Sequence, residues 1–244
     1  MKKLSAIFFD IDDTLYSTSE FARIARRNAV EAMVNAGFHR EVDVLVGELD
    51  EVVKEFGSND KNHLDTLLLR SSPEDYAPTN PLVIVAAGIV AYHRTKSRGM
   101  EPYEDVVEFF KMFRGTSVLC GVISSGIGVK QAEKLIRLDL VQYFDPQHIV
   151  ITDQIGIDKT SPELYWAACK TAEVDPKEAI MVGDHPSLDI DSANLAGLHT
   201  IWLKRGGKYA DAKGNTAPDY EIRDFWDLME ILRQDFGIDF SLTP

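Results

Sequence analysis

The stretch that decides the fold is Leu4–Leu15, LSAIFFDIDDTL, near the start of the chain. Its first half is a short apolar run, which is typical of a strand buried inside a parallel sheet. The run ends in Asp10, Asp12 and Asp13, so three carboxylates follow the strand directly. Ligands of open parallel sheets bind beyond the carboxyl ends of the strands. The stretch therefore predicts a buried strand and a candidate site at its end.

Residues 17–98 change to a helical pattern in which no strand is convincing. Apolar residues recur there at intervals of three and four, as in Val42, Leu45, Val46 and Leu49, which is the spacing of an amphipathic helix. The longest apolar run, Leu82–Tyr92, restarts as another helix. It is well under the roughly 20 residues that a membrane span needs.

Strand and helix patterns alternate from about residue 99 to the end of the chain. The strand candidates are 117–123, 148–152, 179–182, 199–203 and 220–222, and the helix candidates are 103–113, 129–139, 162–172 and 187–196. This alternation predicts an α/β fold with a doubly wound, Rossmann-like parallel sheet. We therefore expect a catalytic core of residues 1–16 and 99–244, with an all-helical cap, residues 17–98, inserted after the first strand.

The composition excludes several classes of partner. A formal net charge of -13 over 244 residues repels nucleic acids and anionic membranes. The two cysteines, Cys120 and Cys169, are far apart in the sequence, which favours buried free thiols over a disulfide. We expect a cytoplasmic protein, monomeric or homodimeric, that binds neither nucleic acid nor membrane.

Further polar residues stand after the later predicted strands: Ser124, Ser125, Gly126, Lys159, Asp184 and Asp189. Each alone has an ordinary explanation as a turn residue, a helix cap or a surface lysine. Their common position at strand ends is what indicates a site. Clustered carboxylates repel, by about 4 kcal/mol at 4 Å and an effective dielectric near 20. They therefore need a cation, and an all-oxygen site suits Mg²⁺ better than Zn²⁺.

The same segments resemble the four motifs of the haloacid dehalogenase (HAD) superfamily. In chain order they are Asp10–Leu15 for D-x-D-x-T, Val122–Gly126 for the Ser/Thr motif, Lys159 with Thr160–Tyr165 for the lysine motif, and Val182–Asp189 for G-D-x-x-x-x-D. The inserted helices stand where subfamily I members carry a helical cap. Thr160 replaces the commoner proline, and His185-Pro186 follows Asp184 where relatives vary.

This resemblance implies a Mg²⁺-dependent phosphomonoester hydrolase with an aspartyl-phosphate intermediate. Asp10 would attack phosphorus, and Asp12 would protonate the leaving oxygen and then activate water. The ion would be held by the Asp10 carboxylate, the Asp12 backbone carbonyl and Asp184, while Asp189 would orient waters or Lys159. The residues that bind the phosphate would be Ser124, Ser125, Gly126 and Lys159.

Other activities stay open on the same fold. The presence of Asp12 favours phosphoryl transfer over dehalogenation, because haloacid dehalogenases lack an acid at the matching position. Sugar phosphomutases keep both acids. A phospho-accepting signalling module resembling a receiver domain is a rival from another class, although such domains are shorter and lack a large insertion after strand one. A catalytically silent binding protein is a third interpretation.

A finer resemblance concerns the substrate. The runs Ala91–Lys96, Gly128–Leu135 and Trp202–Lys208 resemble the archaeal glyceraldehyde 3-phosphate phosphatases of the superfamily. This implies a small phosphorylated metabolite, such as a triose phosphate or phosphoglycolate. The cap is expected to act as a lid that excludes water and reads the substrate. Candidate readers, each also explicable as an ordinary helix residue, are Tyr16, Glu20, Phe21 and Arg23. His93 is interpreted as favourable near a helix C-terminus, and His185 either contacts the cap or is a solvated loop residue.

Overall fold

The computed structural model describes residues 2–206 and 209–240. Gly207 and Lys208, which end the run Trp202–Lys208 quoted above, lie outside the described residues. The chain divides into two compact units. The larger consists of Met1–Thr18 and Glu101–Pro244, and the smaller of Ser19–Met100. Each junction therefore falls two residues later than the boundary expected from the sequence.

The larger unit is built on a parallel sheet of six strands in the order β3-β2-β1-β4-β5-β6. The strands are β1 (Ala6–Phe9), β2 (Leu119–Ser124), β3 (Ile149–Ile151), β4 (Ala179–Gly183), β5 (His199–Leu203) and β6 (Tyr220–Ile222). Every neighbouring pair runs parallel. The predicted α/β fold with a Rossmann-like parallel sheet is confirmed.

Strand β1 lies in the middle of the sheet, and its four side chains are fully buried. Ala6 is paired with Leu119 of β2 on one side and with Ala179 of β4 on the other. Successive side chains of a strand point to opposite faces. Accordingly, Phe9 packs in an aromatic cluster with Phe109, Phe110, Phe144 and Phe225, whereas Phe8 belongs to a different core cluster, with Leu164, Tyr165 and Met181. Because β1 is enclosed on all sides, the position of Asp10, the residue that follows it, is closely fixed.

The smaller unit is helical in every regular element that is described between residues 19 and 100. Its α-helices are α1 (Thr18–Asn35), α2 (Val42–Phe56), α3 (His63–Leu69) and α4 (Pro81–Arg98). Each helix contributes to one hydrophobic cluster, for example through Val30, Leu45, Leu67 and Ile84. A separate core of this kind is the property of an independent domain.

Among its described residues, the larger unit adds six α-helices to its sheet. They are α5 (Glu104–Phe113), α6 (Gly128–Arg137), α7 (Thr152–Ile155), α8 (Pro162–Thr171), α9 (Ser192–Ala196) and α10 (Phe225–Gln234). The helix predicted at 187–196 is instead a π-helical segment, Pro186–Asp191, followed by α9. Helix α10 was not predicted. Its first turn is capped by the Asp224 side chain, which accepts the N–H of Asp227.

Two expectations about the whole chain can be compared with the described residues. No helix in residues 2–206 and 209–240 has both the length and the apolar character needed to cross a bilayer. Cys120 and Cys169 are both buried and free of disulfide bonds. Burial raises the pKa of both thiols, that of Cys169 to about 12, so neither thiol is readily ionised at neutral pH.

Candidate active site

Asp10 follows β1 and is held at the sheet edge by its own backbone. Its N–H donates to the carbonyl oxygen of Val182 at 3.0 Å, which continues the pairing of β1 with β4 by one residue. The carboxylate is 7% exposed. Its Oδ1 accepts from Lys159 Nζ at 2.6 Å and from Ser124 Oγ at 3.4 Å. A lysine from the loop after α7 and a serine from the end of β2 therefore converge on one carboxylate oxygen of Asp10.

Lys159 is a buried bridge between two acids. Its side chain is 2% exposed, and its Nζ lies 2.6 Å from Asp10 Oδ1 and 2.5 Å from Asp189 Oδ1. Burial by itself disfavours an ammonium group, but the charges of Asp10 and Asp189 outweigh this effect and raise the pKa of Lys159. The lysine therefore stays protonated and fixes both carboxylates.

Asp189 approaches the end of β4 because residue 183 is a glycine. The Oδ2 atom of Asp189 accepts the N–H of His185 at 2.8 Å. A Cβ at Gly183 would lie only 2.3 Å from Asp189 Cγ, which is far inside van der Waals contact. The glycine of this motif is therefore required by space at the strand end.

Asp10, Asp184 and Asp189 form a buried cluster that suits a divalent cation. Each offers a carboxylate oxygen, and these oxygens all lie within 4.8 Å of one another. Burial raises the pKa of Asp10 to about 7, with Lys159 opposing and Asp189 adding to the rise. Burial and the charges of Asp10 and Asp189 raise the pKa of Asp184 to about 9. One lysine does not balance three carboxylates, so Asp10 and Asp184 tend to hold protons unless a cation takes their place, and the all-oxygen donor set fits Mg²⁺.

Asp12 is held apart from this cluster by a different set of donors. Lys134 Nζ lies 2.6 Å from both Asp12 oxygens. The Tyr16 hydroxyl donates to Oδ1 at 3.0 Å and the Thr18 hydroxyl at 2.8 Å. Burial alone would raise the pKa of Asp12, but the attraction of Lys134 and these hydrogen bonds lower it. The sequence interpretation gave Lys134 no role, and it named Tyr16 as a candidate substrate reader.

The model of the family described as "Haloacid dehalogenase-like hydrolase" matches residues 7–203. The chain belongs to this family. Two curated relatives are named glyceraldehyde 3-phosphate phosphatase. The one from Methanopyrus kandleri is 41% identical over 236 residues, covering 95% of this chain and 98% of the relative. The one from Pyrococcus furiosus is 39% identical over 241 residues, covering 98% and 97%. Family and relatives together identify a phosphoric monoester hydrolase.

Solved structures of the HAD family share the fold. The HAD phosphatase from Thermococcus onnurineus superposes with a TM-score of 0.63 at 24% identity, over 94% of this chain and 98% of that one. The HAD hydrolase YfnB from Bacillus subtilis, solved with bound magnesium, gives 0.63 at 19% identity, over 95% and 99%. At these identities the likeness shows the fold alone.

In this HAD-family chain, backbone groups of the second motif already make hydrogen bonds within the protein. The carbonyl oxygen of Ser125 accepts from Gln131 Nε2 at 2.6 Å. Gly126 has a φ of 120°, which favours glycine, and its N–H donates to Thr152 Oγ1 at 3.2 Å. Ser124 meets Asp10, whereas the predicted phosphate contacts of Ser125 and Gly126 stay predictions.

Three other residues singled out in the sequence, Glu20, Arg23 and His185, have local partners. Arg23 pairs with Glu20 on the surface of α1 at 2.6 Å. His93 is exposed on α4. His185 Nδ1 accepts the N–H groups of Ser187 and Leu188, so this side chain caps the π-helical segment. The His185 ring also lies 4.1 Å from that of Tyr209.

Proposed function

We propose that this enzyme is a Mg²⁺-dependent phosphatase of small phosphorylated metabolites, with glyceraldehyde 3-phosphate as the first candidate substrate and an aspartyl-phosphate on Asp10 as the intermediate. The observation that carries the proposal is the arrangement at the sheet edge. A buried carboxylate is oriented by Lys159 and Ser124 and lies within a cluster of three buried acids whose oxygens are close enough to hold a cation.

The hydrogen bonds of Asp10 select its attacking atom. Both Lys159 and Ser124 donate to Oδ1, so they fix the rotation of the carboxylate and favour Oδ2 as the nucleophile. The charge of Lys159 is also placed to attract a phosphate group and to stabilise the charge that develops on it. Nucleophilic attack by an oriented carboxylate is the role that this geometry supports.

Asp12 supplies the proton transfers in this proposal. It lies two residues beyond the nucleophile, and its charge reaches Asp10, whose pKa it contributes to raising. The Asp10 and Asp184 carboxylates and the backbone carbonyl of Asp12 would hold Mg²⁺, with Asp189 positioning Lys159. When bound, the ion would neutralise the acids and the phosphate oxygens around it.

The substrate proposal rests on the relatives. Both glyceraldehyde 3-phosphate phosphatases match this chain over nearly their full length, so the helical unit is matched together with the sheet. Phosphoglycolate is the second candidate. We further propose that the helical unit acts as the lid, and that the protein works in the cytoplasm, where two buried, unpaired thiols stay reduced. A monomer or homodimer stays a prediction.

A panel of phosphate esters tests the proposal. The full chain with Mg²⁺ is expected to release phosphate from C2–C6 phosphates over many turnovers, with the highest kcat/KM for glyceraldehyde 3-phosphate. Asp10→Asn, which keeps the size of the side chain, should lose about 10³-fold or more of kcat. Activity on large phosphoesters alone would refute the substrate class. One stable phosphorylation without turnover would indicate a signalling module, isomerised sugar phosphate a mutase, and halide release a dehalogenase.

A further inference from the structure

Two of the three acids in the first motif, Asp10 and Asp12, pair with different lysines. Asp10 is bonded to Lys159 at 2.6 Å, and Asp12 is bonded to Lys134, also at 2.6 Å. Lys159 was expected from its position after a strand. Lys134 stands in the last turn of α6, outside the four catalytic motifs, and the run Gly128–Leu135 included it without giving it a role.

Helix α6 presents two donors to Asp12 from one face. Lys134 and Gln131 are three residues apart, so their side chains are neighbours on the helix surface. Gln131 is 5% exposed. Its Nε2 donates to the Ser125 carbonyl at 2.6 Å and lies 3.4 Å from Asp12 Oδ2. A Cβ at Gly126 would lie 2.9 Å from this Nε2, so the glutamine is closely packed against the loop that follows β2.

Hydrogen bonds rather than packing set the orientation of the Asp12 carboxylate. Its side chain is 33% exposed and that of Lys134 is 18% exposed, so neighbouring atoms do not enclose the acid completely. Lys134 bonds both oxygens, while Tyr16 and Thr18 donate to Oδ1 from the other side. An acid held in this way has lost its rotational freedom before a substrate arrives, which is the condition for efficient proton transfer.

We propose that Lys134 is a positioning residue that holds Asp12 for both of its proton transfers; this inference rests on the proposed function. In the first transfer, protonated Asp12 passes its proton to the ester oxygen as the bond between that oxygen and phosphorus breaks, and Lys134 stabilises the carboxylate that this leaves. In the second, Asp12 takes a proton from the water whose oxygen attacks the phosphorus on Asp10. The proton lost in the first step is recovered in the second. Lys134 keeps its own proton throughout.

Two esters with different leaving groups test this role. An alkoxide needs a proton in order to leave, whereas p-nitrophenolate leaves without one. Positioned acid–base catalysis contributes about 10²–10⁴-fold. We therefore expect Lys134→Met to lose roughly 30–100-fold of kcat/KM on the best alkyl phosphate and less than about 3-fold on p-nitrophenyl phosphate. The assay uses the full chain at saturating Mg²⁺.

Lys134→Arg and Lys134→Gln keep the test decisive if the methionine variant does not fold. Arginine keeps a charged donor and should restore most of the alkyl activity. Glutamine, without the charge, should show the same selective loss as methionine. Water attack also needs Asp12, so the methionine and glutamine variants should show a burst of p-nitrophenol before steady state. Lys111→Met, which removes a lysine from an exposed pair with Glu108, is the matched control and should change neither ester.

Several outcomes would overturn the inference. An equal loss on both esters would show that Lys134 only supports the fold, and no loss on either would show that it is dispensable. A higher KM for both esters with unchanged kcat would make Lys134 a substrate ligand. If the wild-type enzyme released no phosphate from either ester, the proposed function would fail and this inference with it. The other outcomes would contradict the inference about Lys134 and leave the proposed function in place.

Discussion

Replacing Gly183 with alanine is expected to damage both the fold and the reaction. The added Cβ would lie 2.3 Å from Asp189 Oδ2 and Cγ, so Asp189 must move away from the strand end. That movement strains its 2.5 Å pair with Lys159 and its bond to the N–H of His185. Overpacking costs about 1–3 kcal/mol, and complete loss of a partner in a buried pair costs about 3–5 kcal/mol. Because Asp189 is displaced rather than removed, we expect a destabilisation of about 3 kcal/mol.

Thermal denaturation and steady-state kinetics measure the two effects. A loss of about 3 kcal/mol corresponds to a fall in Tm of about 6–12 °C for a chain of this size. A misplacement near 1 Å costs about 10²-fold in rate, so kcat should fall at least about 10-fold. Gly47→Ala is the matched control, because Gly47 lies within α2 and its Cβ would meet nothing within 4 Å. This change should raise stability by about 0.5–1 kcal/mol. A Gly183→Ala variant with the Tm and kcat of the wild type would refute the reasoning.

Two further predictions concern the acids of the larger unit. Mg²⁺ at about 100 times its Kd should stabilise the wild type by about 2.7 kcal/mol. Asp184→Asn should abolish most of the resulting rise in Tm. An equal rise in this variant would show that Asp184 does not bind the ion. Asp105→Asn should cost about 3–5 kcal/mol, because the guanidinium of Arg205, largely buried at 14% exposure, would lose its charged partner. Glu108→Gln, which breaks only an exposed pair with Lys111, should leave Tm unchanged. If Asp105→Asn and Glu108→Gln had the same Tm, burial would not make the Asp105–Arg205 pair more important to stability than an exposed pair.

The parts of the fold and site that follow from strand order could be predicted from the sequence. Short apolar runs that end in acid or serine mark buried parallel strands, and the carboxyl ends of such strands share one edge. The confirmed sheet follows from this rule, and so does the expectation that Asp10, Ser124, Lys159 and Asp189 lie together, as they do. The chemical roles of these residues stay predictions.

Contacts made by helical side chains could not be predicted in the same way. Whether Lys134 reaches Asp12 depends on how α6 packs against the loop after β1, and no local pattern encodes that packing. Tyr16 was one candidate reader of the substrate, and the bond of its hydroxyl to Asp12 could not be predicted from the sequence. The π-helical segment Pro186–Asp191 also escaped prediction, because the ion pair of Asp189 with Lys159, a contact distant in sequence, competes there with the local helical preference.

The central place of β1 in the sheet has a consequence for synthesis on the ribosome. Its four apolar residues acquire their neighbours only when 119–122 and 179–182 have been made. At about 5–20 residues per second, that delay is about 9–34 s. The contiguous helical unit, Ser19–Met100, can fold well before that time. We therefore expect nascent chains stalled before residue 179 to carry a folded helical unit beside an exposed, aggregation-prone Ala6–Phe9 segment, and to be preferred clients of chaperones.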